Sequence, residues 1–196
     1  MTRHRTTRGF SLFEIMVVTV IFLILLAGLI TMLLTGQTSH LTMDASIQVQ
    51  QEARRAFDHM VREMRSSGGT IAAAGGQLDF QTALGYNLAL GGCPANQVCW
   101  GAKDANGTDQ PGWSLRYRVD AGAQQLLREI IDGGGTEQAG ERVLANYVDA
   151  AATSFAWNAG ARIVTATLQC RYQDPRLPGG AQTIGPLTAG VRLRNP

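Results

Sequence analysis

The sequence predicts an α+β chain: one long N-terminal helix, membrane-spanning in its first half, packs its second half on a C-terminal antiparallel β-sheet domain. Three observations predict it. Residues 10–34 form an apolar run in which Glu14 is the only charge. Beyond that run apolar side chains continue at helical spacing, with no proline to interrupt them. After Gly69 the pattern changes to short alternating runs between turn-rich stretches, and no second long helical pattern follows.

The apolar run of 25 residues is long enough to span a bilayer. A helix rises ~1.5 Å per residue, so ~20 apolar residues cross a hydrocarbon core of roughly 30 Å. Arg3, His4, Arg5 and Arg8 precede it, and Asp44 and Glu52 follow it, which gives an N-in, C-out orientation by the positive-inside rule. A cleaved secretory signal has an apolar run of only about 7–15 residues and a small-residue exit. Here Ala27-Gly28 is flanked by leucines and Ile30, so the helix is expected to be retained. Glu14 stands out within it. A carboxylate in a membrane helix costs on the order of 2 to 3 kcal/mol at the centre, less near the interface, and calls for a partner.

In the second half Ala53, Phe57, Met60, Val61 and Met64 recur at i, i+4, i+7, i+8 and i+11, an apolar stripe suited to seating the helix on a sheet. Glu52, Arg54, Arg55, Asp58, Arg62 and Arg65 lie opposite as a solvated face, and His59 is expected in solvent. Ser66-Ser67-Gly68-Gly69 supplies a stop. One helix from about residue 10 to 64 would be roughly 80 Å long.

In the C-terminal part residues 113–119 alternate as a half-buried strand, and Val164, Ala166, Leu168 and Cys170 share one face of another. Residues 78–82, 126–131, 143–148, 153–157 and 191–194 are further strand candidates, whereas 91–112 and 132–140 read as long irregular stretches. Trp100 and Trp113 are expected to anchor the core. Cys93 and Cys99 enclose a five-residue loop; in an oxidising periplasm they are a candidate disulfide, with pairing of Cys170 to either one, or three free thiols, as alternatives. Asp104, Asn106 and Asp109, around Gly107, resemble part of a calcium loop but lack the later bidentate Glu, so an ordinary polar turn is favoured and no cofactor is expected beyond calcium at that turn.

Composition narrows the function classes. With 196 residues and 45% hydrophobic content the chain can build one cored domain and one extra element. From Phe10 onward 14 basic residues face 15 acidic ones, and Lys103 is the only lysine, so no nucleic-acid partner is expected. No nucleophile, base and acid arrangement, phosphate-cradling Gly loop or His/Cys metal cluster appears; the chain is not expected to be an enzyme.

Arg8-Gly9-Phe10-Ser11-Leu12-Phe13-Glu14 resembles the processing signal of type IV prepilins and type II secretion pseudopilins: a short basic leader, Gly before the cut, an aromatic after it, Glu as the fifth mature residue. The resemblance implies cleavage between Gly9 and Phe10 by a membrane prepilin peptidase, N-methylation of Phe10, and an assembly contact in which Glu14 pairs with the Phe10 amine of a neighbouring subunit. The tract from Gln51 to Gly68 is similar to the helix end of PilW-type minor pilins and GspJ-type pseudopilins, and the terminal Leu187-Thr188-Ala189-Gly190-Val191-Arg192-Leu193-Arg194-Asn195-Pro196 to the closing strand of many minor pilins. Many major pilins carry a proline inside the span; residues 27–32 have none, which points toward a minor subunit.

The implied organisation is a leader over 1–9, a transmembrane and assembly helix over 10–34, its periplasmic half over 35–67, and a β-rich pilin head over 68–196. The implied function is a structural minor pilin in an initiating or tip complex. Its partners would be prepilin peptidase, other major and minor pilins or pseudopilins, and the inner-membrane assembly platform. Two alternatives stand beside it: a type II secretion minor pseudopilin, though Glu14 disfavours the tip type that lacks this acid, and a periplasmic binding module on a plain membrane anchor.

Overall fold

A computed structural model describes residues 11–173 and 181–193. Helix α1 spans Leu12–Arg65, and ten strands follow among the described residues. They are β1 (Ser67–Ala74), β2 (Gln77–Tyr86), β3 (Val98–Lys103), β4 (Asp109–Pro111), β5 (Ser114–Asp120), β6 (Gln125–Ile131), β7 (Glu137–Asn146), β8 (Ser154–Asn158), β9 (Ile163–Gln173) and β10 (Ala181–Arg192). The layout is α+β. Two compact units meet between Asp44 and Ala45. The first holds the apolar part of α1; the second holds the rest of α1 and every strand.

Within the second unit all strand pairings are antiparallel. The larger sheet has seven strands in the order β4-β3-β2-β5-β6-β7, with β1 also paired to β2, and the smaller runs β10-β9-β8. A backbone bond from Phe155 N–H to the Gly75 carbonyl, 2.9 Å, and a bridge between Val148 and Cys170 link the two sheets.

The helix seats on the larger sheet through Val49, Ala53, Ala56, Met60 and Met64, all buried, with Phe57 and Val61 packed alongside. The stripe thus starts a turn earlier than its periodicity suggests and is narrowed by Ala56. Two alanines bring the backbone close to the sheet, and the unbranched methionines fill what remains. The sheet answers with Leu78, Phe80, Leu115, Tyr117, Leu126 and Ile130, and Phe80 stacks on Tyr117 at 5.5 Å between ring centroids. The smaller sheet adds Phe155, Val164, Ala166, Leu168 and Cys170 to the same core. The helix ends where Ser66 and Ser67 hydroxyls donate to the Glu63 and Met64 carbonyls, at 2.8 and 2.6 Å, with Arg62 and Arg65 in the last turn as the helix dipole favours.

Four segments differ from the sequence expectation. The Gly68-Gly69 pair not only stops the helix but opens strand β1, because Trp100 lies over it: a Cβ at Gly68 would sit 2.2 Å from the indole, and Gly69 holds φ at +63°. Residues 91–112 are not irregular throughout. They hold β3 and β4, which pair so closely that a Cβ at Gly101 would lie 2.2 Å from the Gln110 carbonyl oxygen. Strand β7 begins at Glu137 and ends at Asn146, so most of 132–140 is a turn into a strand, and Val148 stands outside it as a bridge. Strand β10 is longer than 191–194; it absorbs Gly185 and Pro186 in a register shift between Ile184 and Leu187, as an edge strand can.

Candidate functional site

The start of α1 is built from its first four residues. Ser11 stands just outside the helix, and its carbonyl accepts the Ile15 N–H at 3.2 Å, which makes it the N-cap. Leu12, Phe13 and Glu14 are then the first three helical positions, so Ser11 and Glu14 occupy the two ends of an S-x-x-E capping box. Glu14 is exposed in the first turn, where a negative charge complements the helix dipole. Gly9 and Phe10 lie outside the described residues.

Downstream, Leu12–Gln37 forms a 26-residue span of mean hydropathy 3.0, none of it buried within the protein. At ~1.5 Å per residue that exceeds a hydrocarbon core of roughly 30 Å. Its hydroxyls are satisfied inside the helix: Thr19 donates to the Ile15 carbonyl, Thr31 to Gly28 and Thr35 to Thr31, at 2.6, 2.8 and 2.9 Å. Such back-bonding suits a medium that offers no water. Gly28 and Gly36 are passed without a break, and space beside both is open.

In the second unit the expected solvated helix face fails at Glu52, and Glu63, which that face did not include, is also engaged by the sheet. Glu63 turns to the sheet, where Tyr117 Oη donates to Oε2 in a very short bond and Arg128 donates from Nε and Nη2, both at 3.0 Å at their closest. Burial and the Glu63 charge together push the Tyr117 hydroxyl far above its ordinary range. Burial opposes the Arg128 charge, but the bonds from Glu63 outweigh it and raise its affinity for the proton. Glu52 likewise accepts from Asn146, at 3.1 Å from the backbone N–H and 2.6 Å from the side-chain amide. His59 is half-buried rather than solvated; its Nδ1 is enclosed without a hydrogen bond, 3.9 Å from Glu63. No spacing rule points to these contacts, since Glu63 and its partners are 54 and 65 residues apart.

On the side of β5 and β6 away from these residues, Arg116 pairs with Asp79 at 2.8 Å and Arg118 closes tightly on the buried Glu129. The carboxylates of Glu129, Glu137 and Glu141 converge within 4.8 Å, a group the sequence did not single out. The Arg118 guanidinium already supplies Glu129 with its countercharge.

Residues 4–30 match the family model described as the prokaryotic N-terminal methylation motif. The segment is a type IV pilin-like prepilin signal. No curated protein and no solved structure matches the chain. The prepilin signal supports processing by a prepilin peptidase and assembly with other pilins, and the pilin-like family that carries it is structural rather than catalytic. The single N-terminal apolar helix is compatible with a single-pass membrane anchor. The match ends at residue 30, so it says nothing of the strands.

Away from the prepilin signal, Cys93 and Cys99 are joined in a disulfide with Cα atoms 5.0 Å apart, while Cys170 is free and buried. Burial, assisted by the Glu52 charge, pushes the Cys170 thiol up to about 11. Because burial penalises the thiolate, the native thiol stays protonated at about pH 8. Alkylation by iodoacetamide is expected to run at least about a hundredfold slower than for a free cysteine, becoming complete only in denaturant. Mass spectrometry of non-reduced protein checks this, and full labelling of native protein would contradict the burial.

Asp104 closes its own turn. Its Oδ1 accepts the N–H groups of Asn106 and Thr108, each at 2.9 Å, and its Oδ2 accepts Gln110 Nε2 at 3.1 Å; the Thr108 bond leads in holding the carboxyl below its usual range. Asp109 takes the Lys103 ammonium at 2.7 Å. Protein donors thus engage both carboxylates of the calcium candidate.

Proposed function

We propose that the protein is a structural minor pilin of a type IV pilus. In this reading the chain is cut between Gly9 and Phe10, methylated on Phe10, and assembled through its N-terminal helix into the initiating or tip complex. The observation that carries the proposal is the prepilin signal placed at the head of a helix, Leu12–Arg65, that is apolar over Leu12–Gln37 and whose final turns pack on the β-sheet head. A plain signal anchor needs neither the Gly-aromatic junction nor an acid in the first turn. The residues before the cut would form a leader of nine, and the arginines among them would hold the N-terminus in the cytoplasm. The head would then fold in the periplasm, where a Cys93–Cys99 bridge persists. The function is assembly, with no catalytic residue and no cofactor.

N-terminal analysis of the membrane-bound protein tests this directly. The expected result is a mature chain beginning at N-methylated Phe10; an intact Met1 on protein from a cell with an active prepilin peptidase would overturn it. Co-purification with sheared pili, as opposed to a type II secretion apparatus, then separates the pilus reading from the pseudopilus one.

A further inference from the structure

A small cleft opens between the second half of α1 and the edge strand β7, with a volume of about 170 Å³. Arg55, Ala56 and His59 form its helix wall, and Arg142, Val143 and Leu144 its strand wall. Three basic side chains therefore converge on one cavity, beside the apolar Ala56, Val143 and Leu144. Among the described residues neither Arg55 nor Arg142 forms an ion pair, whereas two of the acids near the cleft are already engaged. Glu52 is held by Asn146, and Glu63 by Tyr117 and Arg128.

The register shows why this is unbalanced. Arg142 stands directly opposite Arg128 across the β6–β7 ladder. Like charges in directly opposed positions repel. Arg128 is neutralised by the bidentate grip of Glu63, and Arg142 is not. His59 adds a second open valence: Nδ1 faces inward 3.9 Å from Glu63 without bonding it, and the ring makes no hydrogen bond among the described residues. An anion seated in the cleft would compensate two guanidinium groups beside the imidazole ring.

We propose that this cleft binds an oxyanion, a carboxylate or phosphate group. The volume is several times what one water molecule needs, which leaves room for such a group with a few waters. Two guanidinium forks lining one cleft are the chemistry that grips planar or tetrahedral oxyanions. The anion comes either from solution or from an acidic side chain or C-terminus of a neighbouring subunit; the site itself does not depend on the pilus reading.

The test uses the full-length protein in a non-ionic detergent, with inorganic phosphate as the probe and NMR of the His59 ring and arginine Nε–H groups as the readout. Saturable shifts at His59, Arg55 and Arg142 are expected, with affinity falling at least about tenfold in the Arg55→Gln/Arg142→Gln double variant and unchanged in Arg54→Gln, whose side chain lies outside the cleft. Circular dichroism confirms that the variants fold, which their exposed positions favour. Absence of saturable shifts, or equal affinity in the double variant, would overturn the proposal. Incorporation of the double variant into surface assemblies then identifies the source: lost incorporation with lost phosphate binding marks a neighbour's carboxylate, and retained incorporation a free anion.

Discussion

A Glu14→Gln variant is expected to be cleaved and N-methylated like the wild type, yet to be absent from assembled filaments. The amide is close to isosteric with the carboxylate and keeps the features that start the helix. Glutamine serves as well as glutamate at the third helical position of a capping box, so the S-x-x-E/Q pattern that starts at Ser11 is kept. What disappears is the charge. In the proposed assembly the Glu14 carboxylate offsets the new ammonium of Phe10 on a neighbouring subunit, both withdrawn from water among apolar helices. Removing one member of such a pair leaves the other as an unpaired charge at a cost of about 3 to 5 kcal/mol per contact. At about 1.4 kcal/mol per tenfold, that lowers the affinity of each subunit addition by a factor on the order of a hundred or more. Immunoblots of the sheared filament fraction and mass spectrometry of the membrane pool measure the two arms. Comparison with Glu14→Ala, which removes cap and charge together, separates helix initiation from pairing. Wild-type incorporation of the glutamine variant would remove Glu14 from the assembly contact.

The long helix was legible because its two halves obey different solvents but one period. Residues 10–34 are apolar on all sides, as lipid requires, and from Val49 to Met64 the apolar positions narrow to one face, as a sheet requires. Strands β5 and β9 were equally legible, since Leu115 and Tyr117, or Val164 to Cys170, alternate with polar neighbours. Strand β1, which was missed, and β7 and β10, found only in part, lack that alternation for identifiable reasons. In β1 the second and third positions, Gly68 and Gly69, are glycines because the Trp100 ring occupies the space where side chains would be. In β7 the exposed edge carries polar and charged residues on both faces, and two register shifts against β6 blur the period. Strand β10 contains a proline that only an edge strand with a bulge can hold.

At the candidate site the division is similar. The prepilin signal is a contiguous string whose meaning lies in spacing along the chain, so the sequence displays it completely. The cleft at Arg55, His59 and Arg142 unites residues far apart in the chain, and the Glu63 contacts span up to 65 positions. On the helix these side chains look like any solvated face, because Arg54, Asp58 and Arg62 beside them are not drawn into the core. Only the rotation of α1 on the sheet decides which charges turn inward.

That inward turn carries the largest expected effect on stability. A Glu63→Ala variant is expected to lose about 3 kcal/mol, the lower end of the range for breaking a buried pair, because both Glu63 and Arg128 keep some solvent contact. Two groups are orphaned at once: the Arg128 guanidinium, whose charge is held against the Arg142 charge opposite, and the Tyr117 hydroxyl, which is fully enclosed by the core. For a domain of this size the loss corresponds to a melting temperature lower by roughly 10 °C. Glu63→Gln should lie in between, since its amide oxygen still accepts from Tyr117 while no longer neutralising Arg128. The decisive arm is Glu63→Leu with Arg128→Met: replacing both ions by apolar groups removes the orphaned charge, so the double variant should recover much of what Glu63→Ala loses. Urea midpoints of the full-length protein in detergent, followed by tryptophan fluorescence, report all three. A change below about 0.5 kcal/mol for Glu63→Ala would mean that Arg128 finds water or another acceptor, and that apolar contact alone holds the helix on the sheet.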